Sequence, residues 1–132
     1  MRIIAGRFKG RKLNSFKATH IRPTTDRVKE SLFERIGMEL PGSRVLDLFS
    51  GTGNLGFEAL SRGARFVCAV ERSHQSLAVI RKNQRLLEVG HTELEVVGAD
   101  VFGFLRKYSG DPFDFAFVDP PFTQALAHKT LQ

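Results

Sequence analysis

Val45-Leu46-Asp47-Leu48-Phe49-Ser50-Gly51-Thr52-Gly53-Asn54-Leu55-Gly56 is the one stretch of the chain where a buried-strand pattern runs straight into a glycine-rich turn and then a helix. An apolar run of this length bounded by turn residues suits a strand covered on both faces. The glycines let backbone approach a ligand more closely than side chains permit. The spacing Gly51-x-Gly53-x-x-Gly56 is that of a nucleotide-binding turn, with an acid, Glu71, ending the next strand where a ribose diol needs an acceptor. Asp47 departs from the dinucleotide pattern. A carboxylate ahead of the glycines repels a pyrophosphate and attracts a cationic, amine-bearing cofactor, which argues against a nicotinamide dinucleotide.

Working outward, strands and helices alternate. Asn54 to Arg62 reads as a helix stopped at Gly63, Phe66 to Glu71 as a strand, His74 to Val89 as a helix stopped at Gly90, and Leu94 to Val97 as a third strand. Asp100 heads a short helix, and Phe113 to Val118 makes a fourth strand. This order implies right-handed crossovers and a parallel, doubly wound sheet, with Asp47, Glu71, Asp100 and Asp119 at the ligand-binding strand ends. Before the first strand, Pro23-Thr24-Thr25-Asp26 is a turn leading into a helix whose apolar face is Val28, Leu32, Phe33 and Ile36, with Lys29 assigned elsewhere. Gly37 to Gly42 ends that helix.

The first 23 residues read as a basic arm and residues 24–132 as the main domain. Met1 to Leu13 suggests a short hairpin presenting Arg7, Lys9, Arg11 and Lys12 around its turn, with Phe8 among them, a mixture suited to RNA phosphates and bases. Met1 to Arg35 holds ten Lys or Arg against three acids, so the net charge of +6 is carried entirely by the front of the chain. That balance fits a polyanionic partner; a solvated basic face or a charged edge hairpin is the alternative reading.

No apolar run approaches the roughly 18 residues of a spanning helix, and the start lacks a signal-peptide pattern, so the protein is expected in the cytoplasm and off the membrane. Cys68 is the single cysteine and reads as core packing, while His20, His74, His91 and His128 lack metal-site spacing, so no metal is expected.

Asp119-Pro120-Pro121-Phe122 closes the fourth strand. The prolines remove backbone donors and leave a carboxylate and carbonyls as acceptors, an arrangement suited to the exocyclic amine of a base on which Phe122 stacks; a rigid strand-end loop is the alternative. Together with the Asp47 to Gly56 turn, this loop resembles class I methyltransferases that act on base amino groups with S-adenosylmethionine. Adding Met1-Arg2-Ile3-Ile4-Ala5-Gly6, Gly10-Arg11-Lys12-Leu13 and Arg22-Pro23-Thr24-Thr25-Asp26-Arg27-Val28-Lys29-Glu30, nearly the whole chain is similar in order to the RsmD family.

The resemblance implies a Rossmann-like class I fold and methylation of N2 of a guanine in small-subunit ribosomal RNA, so that the partner is ribosomal RNA or the assembling small subunit. Its further implications are a cofactor site of Asp47, Phe49, Gly51, Thr52, Gly53, Glu71, Asp100 and Val101, a catalytic loop of Asp119, Pro120, Pro121 and Phe122, and RNA contacts at Arg7, Lys9, Arg11, Arg22, Thr24 and Phe122. Helix capping for Asp100 and Thr24 and strand-end solvation for Glu71 are the structural alternatives. The family continues past the Pro-Pro loop, so the sheet is expected to be truncated after its fourth strand; a complete chain is expected to be a monomer. An adenine-N6 methyltransferase and a non-catalytic cofactor- or RNA-binding remnant stand as the other readings.

Overall fold

A computed structural model describes residues 1–15 and 26–119. The elements follow the sequence closely: α1 Asp26–Ile36, β1 Arg44–Leu48, α2 Asn54–Ser61, β2 Phe66–Glu71, α3 His74–Leu86, β3 Leu94–Gly98, α4 Val101–Lys107 and β4 Phe115–Val118. All strand pairs are parallel in the order β3-β2-β1-β4. The chain winds outward from β1 to β3 and then crosses back to β4, so the switch point lies between β1 and β4.

Side chains alternate across this sheet. Val45, Val67, Ala69, Leu94 and Phe117 join the core formed with Phe33 of α1, Phe57 and Leu60 of α2 and Ile80 of α3, whereas Leu46, Leu48, Cys68 and Val70 meet Val101 and Phe104 of α4. Helices therefore cover both faces, which explains why β2 carries an apolar run from Phe66 to Val70 and β1 one interrupted only by Asp47. Cys68 lies in this core, and burial pushes its thiol up to about 12.

Three local expectations are corrected. On α1 the buried residues are Lys29 and Phe33, while Val28 is 57% exposed. Periodicity selects Val28 for its apolarity, but the ammonium of Lys29 has buried partners and Val28 is turned outward. Helix α3 ends at Leu86 rather than Val89. Glu88 takes the left-handed conformation at φ 54°, and the Glu88 and Val89 amides close back on the carbonyls of Arg85 and Gln84. This is a Schellman closure, and it falls two residues before Gly90, the residue type expected to make it. β4 begins at Phe115, because Asp114 is used before it: its backbone amide donates to the Arg44 carbonyl and its carboxylate accepts from the Arg44 amide.

Met1–Ser15 forms a strap whose two limbs meet through an antiparallel bridge between Arg2 and Lys12. It is integral to the core, since Ile3 and Leu13 are buried there. Its outgoing limb runs along α2: the Ile4 and Ala5 amides donate to the Glu58 carboxylate, and the Arg7 amide donates to the Ser61 carbonyl. Gly6, at φ 88°, is required at this crossing, because a Cβ there would sit 2.0 Å from the Ser61 carbonyl oxygen.

Candidate active site

The glycine turn leaves β1 at the switch point and is held by two carboxylates. Asp47 points to the α2 face of the sheet and is 2% exposed; its Oδ2 accepts from the Ser50 hydroxyl at 2.8 Å and from the Gly56 amide at 3.1 Å. Burial raises its carboxyl to about 7, against these two hydrogen bonds and with the charges of Asp119 and Glu71 adding to the rise. Glu71 binds from the second strand end: Oε1 accepts from the Gly51 amide at 2.9 Å, and Oε2 accepts from the Arg72 and Ser73 amides at 3.1 and 2.8 Å.

The glycines have separate reasons. Gly51, at φ 61°, faces open space where a Cβ would stand, so its left-handed backbone rather than crowding asks for glycine. Gly53, at φ 87°, lies against the Phe57 ring, 2.6 Å from where a Cβ would be. A Cβ at Gly56 would stand 3.0 Å from the Asp47 Oδ2 and 3.2 Å from the Val67 Cγ1, so these neighbours would have to give way. Phe49 also adopts a positive φ, 56°, and its ring meets that of Phe102 edge-on at 6.3 Å between centroids. A bulky residue in this region is strained, and such strain collects at functional turns.

Asp100 caps α4, its Oδ2 accepting from the Gly103 amide at 3.0 Å, with Val101 buried behind it. This capping accounts for one oxygen of the carboxylate. Asp119 follows the last β1–β4 pair, Leu48 with Val118, so it stands beside Phe49 at the mouth of the switch point. The fold thus brings Asp47, Phe49, Gly51, Thr52, Gly53, Glu71, Asp100, Val101 and Asp119 to one end of the sheet. Pro120, Pro121, Phe122, Arg22 and Thr24 lie outside the described residues.

The basic arm residues are elsewhere. Arg7, Lys9 and Arg11 surround the strap's turn at the C-terminal end of α2, whose eight residues put them about 12 Å along the helix from the glycine turn. Arg7 is 3.1 Å from Glu93 and lies over the Phe8 ring, and the Arg11 guanidinium donates to the Leu86 carbonyl at 3.1 Å. Lys9 is exposed.

Several residues around the site escape a reading of the sequence. Ser50 and Phe102 are adjacent to named site residues and are legible by position. The Lys29–Glu58 pair is not: Nζ is 3.0 Å from Oε1, both side chains are fully buried, and Nζ also donates to the Arg2 carbonyl and the Asn54 Oδ1 at 2.8 Å each. Burial alone would raise the Glu58 carboxyl, but the Ile4 amide, Arg62 and Lys29 together hold it below its ordinary value.

A doubly wound parallel sheet with helices on both faces, a glycine turn leaving its first strand and acids at successive strand ends is the Rossmann-like fold of class I methyltransferases. The chain belongs to the family described as "Conserved hypothetical protein 95", whose model matches residues 1–132. It is 40% identical over 132 residues to Ribosomal RNA small subunit methyltransferase D of Haemophilus influenzae, covering 99% of this chain and 68% of the relative. To the protein of that name in Escherichia coli it is 38% identical over 131 residues, covering 99% and 65%. The structure described as a putative methyltransferase yhhF from Escherichia coli superimposes with a TM-score of 0.85 at 37% identity, covering 99% of this chain and 69% of that one. The chain spans about two thirds of the length of these curated relatives.

Proposed function

We propose that this chain carries the S-adenosylmethionine site and the catalytic acid of a methyltransferase that modifies the exocyclic N2 of a guanine in small-subunit ribosomal RNA. The observation that carries this reading is the turn itself: an acid-anchored glycine cradle, open at Gly51, with acids from the three other strands around it. The relatives' names supply the substrate class.

The residues fit such a cofactor. The Gly51 cradle accepts its methionine portion, and the acidity at Asp47 complements a sulfonium and an ammonium. Glu71 sits where a ribose diol donates, with three acceptor positions committed to backbone amides and the remainder available. Asp100, with the Val101 backbone, suits an adenine edge, and the Phe49 and Phe102 rings supply apolar faces for the base. When bound, the cofactor supplies an electrophilic methyl group. Asp119 accepts a hydrogen of the target amine, orients its lone pair and takes up the proton as positive charge develops on nitrogen.

Methyl-labelled S-adenosylmethionine incubated with the chain and small-subunit ribosomal RNA or subunits is expected to yield labelled N2-methylguanosine. Asp119→Ala is expected to lower kcat on the order of 10²-fold or more while leaving cofactor affinity within a few-fold. Label in N6-methyladenosine would move the reading to the adenine amine, and a folded chain that does not bind the cofactor would end it.

A further inference from the structure

Asn83 of α3 is fully buried and is not used by the chemistry above. Its Nδ2 donates to the Thr52 carbonyl at 3.3 Å and to the Asn14 carbonyl at 3.1 Å, while its Oδ1 accepts from the Asn14 amide at 2.7 Å and the Asn14 side chain at 3.0 Å. Thr52 lies inside the glycine turn. The other end of the same peptide unit, the Gly53 amide, donates to the Ser50 carbonyl at 2.9 Å. The Thr52–Gly53 peptide is therefore gripped at both its oxygen and its nitrogen. Rotation of this plane changes ψ of Thr52 and φ of Gly53, and would turn Gly53 out of the left-handed conformation that shapes the turn.

We infer that Asn83 is a positioning residue that fixes the Thr52–Gly53 peptide for S-adenosylmethionine, and that through Asn14 it ties the returning limb of the strap to the same turn. The inference rests on the function proposed above. Leu77 and Ile80 make α3 an ordinary packing helix on its inner face, but an amide that directs its donors to an irregular turn does something that a packing residue does not.

The neighbouring Gln84 provides an internal control, because its Nε2 donates to the Leu94 carbonyl at 3.2 Å on the β3 side, away from the turn. Calorimetric titration with S-adenosylmethionine and thermal melts are compared for the wild type, Asn83→Ala, Asn83→Asp, Gln84→Ala and Asn14→Ala. Asn83→Ala and Gln84→Ala are both expected to melt earlier, yet only Asn83→Ala is expected to weaken binding, by about tenfold. Asn83→Asp, when ionised, keeps the acceptor for Asn14 and removes the donors to the Thr52 and Asn14 carbonyls, and is expected to show the same loss in a folded chain. Asn14→Ala leaves the Asn83–Thr52 bond intact and is expected to bind within twofold of wild type. Wild-type affinity in folded Asn83→Asp, or an equal loss in Gln84→Ala, overturns the inference. Absence of binding by the wild type instead overturns the function on which it rests.

Discussion

Because the Asp47 carboxyl is buried with its ordinary value of 3.8 raised to about 7, the folded chain holds a proton that the unfolded chain releases between those two values. The contribution of this group to stability is thus greatest below pH 4, falls as pH rises, and levels off above pH 7, where the native state bears the whole cost of the buried charge. Asp47→Asn keeps an acceptor for Ser50 or Gly56 without that charge. Its advantage in unfolding free energy over wild type, read by chemical denaturation, is expected to grow from pH 5 to pH 8 and flatten beyond, reaching on the order of a few kcal/mol. A cation placed near Asp47 lowers its pKa again, so S-adenosylmethionine binding is expected to release a proton below pH 7. Affinity should weaken by up to about tenfold per pH unit as pH falls from 7, with this slope removed in Asp47→Asn. A calorimetric affinity independent of pH from 6 to 8 would show that Asp47 serves the turn alone.

At the level of elements, Glu58 of α2 joins two pieces of chain distant in sequence, the strap through Ile4 and Ala5 and α1 through Lys29, and also pairs with Arg62 one turn along at the end of its own helix. Lys29→Met leaves this carboxylate buried without its ammonium and is expected to cost about 3–5 kcal/mol in chemical denaturation, part of which Lys29→Met with Glu58→Gln recovers. The sequence shows that α1 exists and finds Leu32, Phe33 and Ile36 of its inward face, but it puts Val28 there and leaves Lys29 out, because a pattern of apolar residues has no means of registering a lysine whose partners are 25 and 29 residues away. The end of α3 is misplaced for a related reason. Its closure depends on one backbone angle at Glu88, whereas Gly90 is the residue of the expected type two positions later. Glu88→Gly at the same angle is expected to gain about 1 kcal/mol, read as a rise in the denaturation midpoint at unchanged slope.

Over the whole molecule, the sheet and its winding are legible because strands covered on both faces are mostly apolar, and an acid stands at or just past the end of each: Asp47 next to last in β1, Glu71 last in β2, Asp100 and Asp119 just after β3 and β4. The strap is legible only as a charged hairpin. Its docking depends on backbone amides meeting Glu58 and Ser61, groups whose pairing leaves no pattern in side-chain type. That docking separates two surfaces that sequence alone does not hold apart, since the turn carrying Lys9 and Arg11 sits at one end of α2 and the glycine cradle at the other. A small substrate would touch one of them, whereas an RNA engaging both must lie along the strap. Contacts of this kind go to phosphates, are independent of sequence and are driven by counterion release. Lys9→Ala with Arg11→Ala is therefore expected to weaken binding of small-subunit ribosomal RNA and to reduce the slope of log affinity against log salt by about 0.7–0.9 for each phosphate no longer neutralised. Because no charge near Asp47 or Glu71 changes, S-adenosylmethionine affinity should stay within twofold of wild type. An unchanged salt slope would mean that the RNA does not reach this end of the fold, leaving the charges of the strap turn to the internal partners of Arg7 and Arg11, Glu93 and the Leu86 carbonyl.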